Sequence, residues 1–426
     1  MTADTTVTKS PLSARVEQVA AVAAAQARTV DERAEFPFHS LAAMREHGLL
    51  GLLVPERFAG PGADLRTVAA VASTISGRCL SSGLVFAMHT QQVAALVAGA
   101  SPALADRLLP RVARGEVYLA SVTSERGKGG HLLSAGQALQ PVPGGYCVER
   151  DAPIVTGVRC ADGFLATMRT GPNAPESSVT LVWVDRADAQ VEISGTWDPM
   201  GMRGTESLAA RIVAEVPADH LVGGPGGFRS LALHPMVTVG HVGWAACWLG
   251  AAGQAFGGVV AMLRAPARRR EFEVGEAHFR ARLARIRLLL DTASALLSTV
   301  LDEVALIGTP GGPDPDDPAL QLHVNGLKVV AAENSFAAVN GLVELLGLRH
   351  GYQRAADPPL ERVFRDLRSA SLNYADDRLL QANGWLAVLD REVHLAGATT
   401  FPDPRTPDPR TPESWTTERR IAGEQR

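Results

Sequence analysis

Hydrophobic periodicity changes twice along the 426 residues, and that order of textures restricts the fold more than any single motif does. From Leu12 to about Gly115, apolar residues recur at three- and four-residue spacing in Ala-rich stretches interrupted at Pro55 and by Gly-Pro-Gly at 60–62, the pattern of amphipathic helices. Between about Glu116 and Val222, short β-branched runs such as Val-Thr-Leu-Val-Trp-Val at 179–184 sit between Gly, Pro and Asp clusters. After Gly-Gly-Pro-Gly-Gly at 223–227 the helical spacing returns. It is clearest where Phe279, Leu283, Ile286, Leu290 and Leu297 share one face, with Arg280, Arg282, Arg285 and Arg287 around it. The expected architecture is α+β: an N-terminal helical domain over 1–115, a central antiparallel β-barrel over 116–225 and a C-terminal four-helix bundle over 226–400. Residues 401–426 repeat Pro-Asp-Pro-Arg-Thr, too polar and Pro-rich to pack, and are expected to be a disordered tail.

The charge balance, 41 Lys plus Arg against 45 Asp plus Glu, gives no global electrostatic reason for a nucleic acid or an anionic membrane as partner. A small-molecule substrate fits better. Cys79, Cys147, Cys160 and Cys247 lack the paired spacing of a zinc site or a disulfide framework, so buried free thiols in a reducing cytoplasm are expected, with no metal. Residues 1–10 are polar and carry no signal-peptide pattern. The longest apolar stretches are broken by His, Gly or charge before the roughly 20 residues a bilayer span needs.

Several segments carry chemistry. Ser121-Val-Thr-Ser-Glu-Arg-Gly-Lys-Gly-Gly-His131 is a loop of small residues suited to close backbone approach. Ala152-Pro-Ile-Val-Thr156 follows, then Pro199-Met-Gly-Met-Arg-Gly-Thr205 and Val216-Pro-Ala-Asp-His-Leu-Val222. The last third holds Arg269-Arg-Glu-Phe272, Leu346-Gly-Leu-Arg-His-Gly-Tyr352 and Glu361-Arg-Val-Phe-Arg-Asp366. In this order and at this spacing they resemble the acyl-CoA dehydrogenase superfamily over nearly everything from Leu12 to Leu395.

The resemblance implies a flavoenzyme with FAD. It places Val122, Ser124 and Gly129 against the pyrimidine edge of the flavin, Ile154 on the ring face, and the Thr156 hydroxyl as a donor near N5. It also implies that Arg269, with Phe272 beside it, reaches the FAD diphosphate of a neighbouring subunit. Gly347 and Gly351 would then accept the adenosine end. Shared sites of that kind imply a homodimer or homotetramer.

One element departs from the family. Its dehydrogenases use a Glu to remove the proton beside the thioester carbonyl, and the usual position holds Tyr374, an unperturbed phenol titrating near ~10. The minority position on the preceding bundle helix falls near Gly240 and His241. Three explanations stay open: His241, His234, Asp376 or Asp377 acts as base from a shifted position; the substrate needs no strong base; or the flavin reacts with oxygen. The first two suit an acyl thioester on CoA or a carrier protein in secondary metabolism, passing electrons to an external acceptor. The third resembles two-component flavin monooxygenases of the same fold, which depend on a flavin reductase. His89 reads equally well as an interior hydrogen-bonded histidine, and Trp244 and Trp248 as core.

Overall fold

The computed structural model describes residues 11–127, 131–389 and Val393. The first helical layer comprises α1 (Leu12–Arg33), α2 (Phe38–Glu46), α3 (Leu65–Ser76), α4 (Leu80–Gly99) and α5 (Pro102–Ala113). Local chemistry fixes several starts: Asp64 accepts from Thr67 N at 2.7 Å to cap α3, and Ser101 Oγ accepts from Leu104 N at 3.2 Å ahead of a first-turn Pro102 in α5. The long apolar α4 is buried almost throughout, which its composition requires.

Two four-stranded sheets follow. One has the order β1 (Leu119–Val122), β4 (Gly163–Arg169), β5 (Val179–Asp185), β8 (Leu221–Val222); the other β2 (Gln140–Val142), β3 (Gly145–Thr156), β7 (Ser207–Pro217), β6 (Ala189–Ser194). Pairing is antiparallel as expected, except that β1 runs parallel to β4. In β3 the alternation of Val148, Arg150 and Ala152 turns all three inward, so one charged side chain lies in the core. The β3–β7 register then shifts between Ala152 and Val155. Pro153 has no N–H to give the ladder, and the bulge throws Ile154 outward, 51% exposed beside the fully buried Val155.

Past α6 (Phe228–Leu231), the bundle is built from α7 (Thr238–Leu263), α8 (Pro266–Glu271), α9 (Ala277–Ala305), α10 (Pro318–Gly347), α11 (Leu360–Leu367) and α12 (Asp376–Leu389). Helix α10 packs against α7, α9 and α12, giving four helices around one core. Phe279, Ile286 and Leu290 of α9 are buried, while Leu283 and Leu297 are partly buried against the core. The segments containing α7 and α10, Phe228–Leu263 and Pro318–Tyr352, are long and apolar enough to cross a membrane by length and composition, contrary to the expectation that no stretch would reach that length. Half of each apolar window is buried against other elements, and that packing accounts for the apolarity. Of the thiols, Cys79 and Cys247 are buried, whereas Cys147 and Cys160 are only half-buried; all four are free. The expected tail over 401–426 lies outside the described residues.

The motifs at 199–205 and 361–366 lock the sheets to the bundle. An ideal Cβ on Gly201 would sit 2.0 Å from the Arg365 carbonyl oxygen, so only glycine allows the turn at 199–205 to lie on α11. Met202 N donates to Asp366 Oδ1 at 2.6 Å, and Arg365 clasps Asp31 of α1 with both Nη atoms at 2.9 and 2.6 Å. Arg203 Nε adds a bond to the Asp31 carbonyl at 2.7 Å.

Candidate active site

Where β1, the β3 bulge, α4 and the start of α7 meet the segment leading into α12, the chain lines a partly open cavity of about 460 Å³. That size lies within the range of small-molecule sites. Ser124, Ile154, His241 and Tyr374 all line it, although they are far apart in sequence. Tyr374 takes a positive φ of 54°, which turns its ring toward α7: the His241 ring centroid lies 5.8 Å from that of Tyr374 and 5.6 Å from that of Trp244. A row of three rings therefore forms one wall.

Electrostatics sort the candidate bases. Burial, with the Lys328 cation adding to it, pushes His241 down to about 3, so its imidazole is neutral at physiological pH. Burial raises the Tyr374 phenol, partly opposed by Arg378, and keeps it protonated. Asp376 does not line the cavity: its carboxylate is bound to the buried Lys328 ammonium, which also donates to Ala370 O at 2.9 Å. Burial raises Asp376 and lowers Lys328, each resisted by contact with the other. Asp376 is thus an ion-pair partner of Lys328 through Oδ1, while its Oδ2 has no hydrogen-bond partner. Asp377 is exposed at the start of α12, and burial lowers His234, which does not line the cavity.

The expected flavin contacts are redistributed. In β1 the two-residue alternation sends Val122 into the core, fully buried, while Ser121 and Thr123 face the cavity, so Val122 has only backbone to offer. Ser124 Oγ donates to Ile154 O at 2.8 Å, and its carbonyl accepts from Arg150 Nη2 at 2.9 Å. Arg150 Nη1 lies 3.0 Å from Glu125 Oε2, and Glu125 takes the Gly136 and Gln137 amides at 2.9 Å each. This buried pair holds the Ser124 loop to β3. Thr156 is buried away from the lining. Its Oγ1 lies 2.9 Å from Ser207 Oγ, which donates to Thr205 Oγ1, which in turn donates to Met202 O. Along this relay the Thr156 hydrogen goes to Ser207, so the expected donation to a flavin N5 is already spent. Gly129 lies outside the described residues.

Arg269, Phe272, Gly347 and Gly351 do not line the cavity. They fall into a separate cluster in which the Phe272 ring meets His350 edge-on at 5.5 Å and His350 Nε2 lies 3.1 Å from Glu271 Oε1. Arg269 and Gly347 are exposed there. His89 is an interior histidine: Nδ1 accepts from Leu119 N at 3.1 Å, leaving Nε2–H for Leu50 O at 2.9 Å, and burial lowers it to about 4. Trp248 is core, with Lys328 Nζ 5.3 Å from its ring; Trp244 is buried in the core as expected and also lines the cavity. Sequence reasoning also missed Met88, Gln91, Asn373 and Arg378 on the wall. A helical spacing of three from His241 could have found Trp244.

Residues 10–116 match the acyl-CoA dehydrogenase N-terminal domain and residues 242–374 the acyl-CoA dehydrogenase C-terminal domain, together more than half of the chain. The chain belongs to the acyl-CoA dehydrogenase family. Among relatives, it is 28% identical over 211 residues to a cyclohex-1-ene-1-carbonyl-CoA dehydrogenase of Syntrophus aciditrophicus, covering 49% of this chain and 51% of that protein. It is 26% identical over 346 residues to a 3-(aryl)acrylate reductase of Clostridium sporogenes, 80% of this chain and 87% of that one. The fold matches FMN-bound TdsC from Paenibacillus sp. A11-2 with a TM-score of 0.78 at 23% identity, over 90% of this chain and 98% of that one.

Family members are flavoenzymes, and the cavity suits a flat redox ring. Ile154 offers an exposed apolar side chain of the kind a ring face would cover, and Trp244 Nε1 and His241 Nδ1 are buried on the wall without hydrogen-bond partners.

Proposed function

We propose that the chain is an FAD-dependent oxidoreductase that seats the flavin ring in this cavity, works without a carboxylate base, and is a monooxygenase supplied with reduced flavin by a separate reductase. The observation that carries this reading is the set of ionisable side chains lining the cavity among the described residues: His241, Tyr374 and Arg378. Thioester dehydrogenation requires proton removal beside the carbonyl while hydride leaves the next carbon. An imidazole held near 3 and a phenol held protonated are poor acceptors for that proton. Oxygen transfer asks the protein mainly to position the substrate, and Met88, Leu132, Ile154, Met236, Val237 and Trp244 give it an apolar wall to lie against. In the same reading the Arg269 and Gly351 cluster reaches the FAD of a neighbouring copy, so the working unit is at least a dimer.

A second reading keeps the acyl thioester, on CoA or a carrier protein. Two observations favour it: a relative named as a carbonyl-CoA dehydrogenase, and Asp376 Oδ2, which has no hydrogen-bond partner two residues from Tyr374. FAD-loaded protein mixed anaerobically with butyryl-CoA separates the two. Yellow absorbance is expected to persist, and in a parallel aerated assay oxygen is expected to be consumed only when a flavin reductase and NADH are added. Rapid bleaching by butyryl-CoA, lost in Asp376→Asn, would instead establish the second reading.

A further inference from the structure

His241 and Trp244 lie three residues apart on α7 and share one face of it, turned into the cavity. His241 is 1% exposed and Trp244 7%, yet His241 Nδ1 and Trp244 Nε1 have no hydrogen-bond partner. Leaving a buried polar atom unpaired costs about 1–3 kcal/mol, so two on one wall point to something that pairs with them. The equally buried His89 shows the contrast, with both nitrogens bonded to backbone.

The roles of the two atoms differ. His241 has a hydrogen bond with the Val324 backbone that favours the protonated ring, so the partner there is the carbonyl and the nitrogen that reaches it carries the hydrogen. With Nδ1 unpartnered, that nitrogen is Nε2, and Nδ1 is a bare acceptor. Trp244 Nε1 can only donate.

We propose that this pair binds a hydroxyl of the substrate, which gives its hydrogen to His241 Nδ1 and accepts from Trp244 Nε1. The inference rests on the cavity being the substrate site of the flavoenzyme. The two ring centroids are 5.6 Å apart, so the two unpaired nitrogens belong to neighbouring rings of one wall. A carboxylate would set its lone pairs against Nδ1, an ammonium would have nothing to accept from Trp244, and a hydrocarbon would leave both atoms unpaired. The Tyr374 ring, its centroid 5.8 Å from that of His241, borders the same cavity.

Three probes of similar size test this by calorimetry on FAD-reconstituted protein: phenol donates and accepts, anisole only accepts, toluene does neither. Phenol is expected to bind roughly tenfold or more tightly than anisole, and anisole more tightly than toluene. His241→Phe should erase the difference between phenol and anisole while toluene changes by less than about twofold, which also reports that the variant is folded. Trp244→Phe should weaken phenol and anisole and spare toluene. Equal affinities of the three probes in the wild type, as when a resident water holds the pair, would overturn the proposal. So would a phenol preference that survives both substitutions. If FAD fails to bind, the functional reading falls, and the same probes on the flavin-free chain still decide the hydroxyl site.

Discussion

Two buried polar regions of this chain are built in opposite ways. At the seam where α1 and α11 meet the turn at 199–205, Asp31 is paired with Arg365 through both oxygens, its carbonyl takes Arg203, and Asp366 takes the Met202 amide. On the cavity wall, His241 and Trp244 are as deeply buried and each keeps a nitrogen unpaired. A network closed on itself spends its hydrogen bonds on the fold, while an open one is left waiting for a ligand. Both regions hold residues that stand out in the sequence, so prominence alone does not tell a lock from a site.

The contrast is sharpest if the seam is broken. Arg365→Met leaves Asp31 without its guanidinium in a largely buried place and is expected to cost about 3–5 kcal/mol in urea unfolding. A loss under about 1 kcal/mol would rank the seam with ordinary surface ion pairs.

Asp366 carries the next effect. Burial raises its carboxyl to about 6 from an ordinary 3.8, opposed by the Met202 amide. The unfolded chain therefore ionises first as pH rises, so the group's contribution is fully present below about pH 4 and is lost as pH passes about 6, by about 3 kcal/mol. Asp366→Asn should flatten that part of the stability profile; identical slopes in the two proteins between pH 4 and 6 would contradict it.

Trp244→Phe has the smallest expected effect. No hydrogen bond is lost, so the cost should stay within about 1 kcal/mol, chiefly from reduced volume. A cost well above about 2 kcal/mol would mean that Nε1 is satisfied in the folded chain and that the wall belongs with the seam.

Much of this was legible beforehand. The helical, β, helical order follows from period, and the motif at 199–205 marks a turn that only Gly201 permits. The meeting of Ser124, Ile154, His241 and Tyr374 followed from resemblance, since no local pattern links positions so distant. Hydrogen-bond competition was hidden: nothing in the segment 152–156 says that Ser207 takes the Thr156 hydroxyl, or that Lys328, some fifty residues earlier, takes Asp376. The inward turn of Val122 and the outward throw of Ile154 come from strand alternation and a bulge at Pro153, which only a register reveals.

The central claim is that a flavin ring seats against Ile154, and FAD titration of Ile154→Arg tests it most directly. Because Ile154 is half exposed, the substitution should leave the fold intact while placing a bulky cation where the ring would lie. Wild-type protein is expected to bind FAD and the folded variant to lose at least about a hundredfold in affinity, roughly 2.7 kcal/mol. FAD bound equally well by both would show that the ring lies elsewhere.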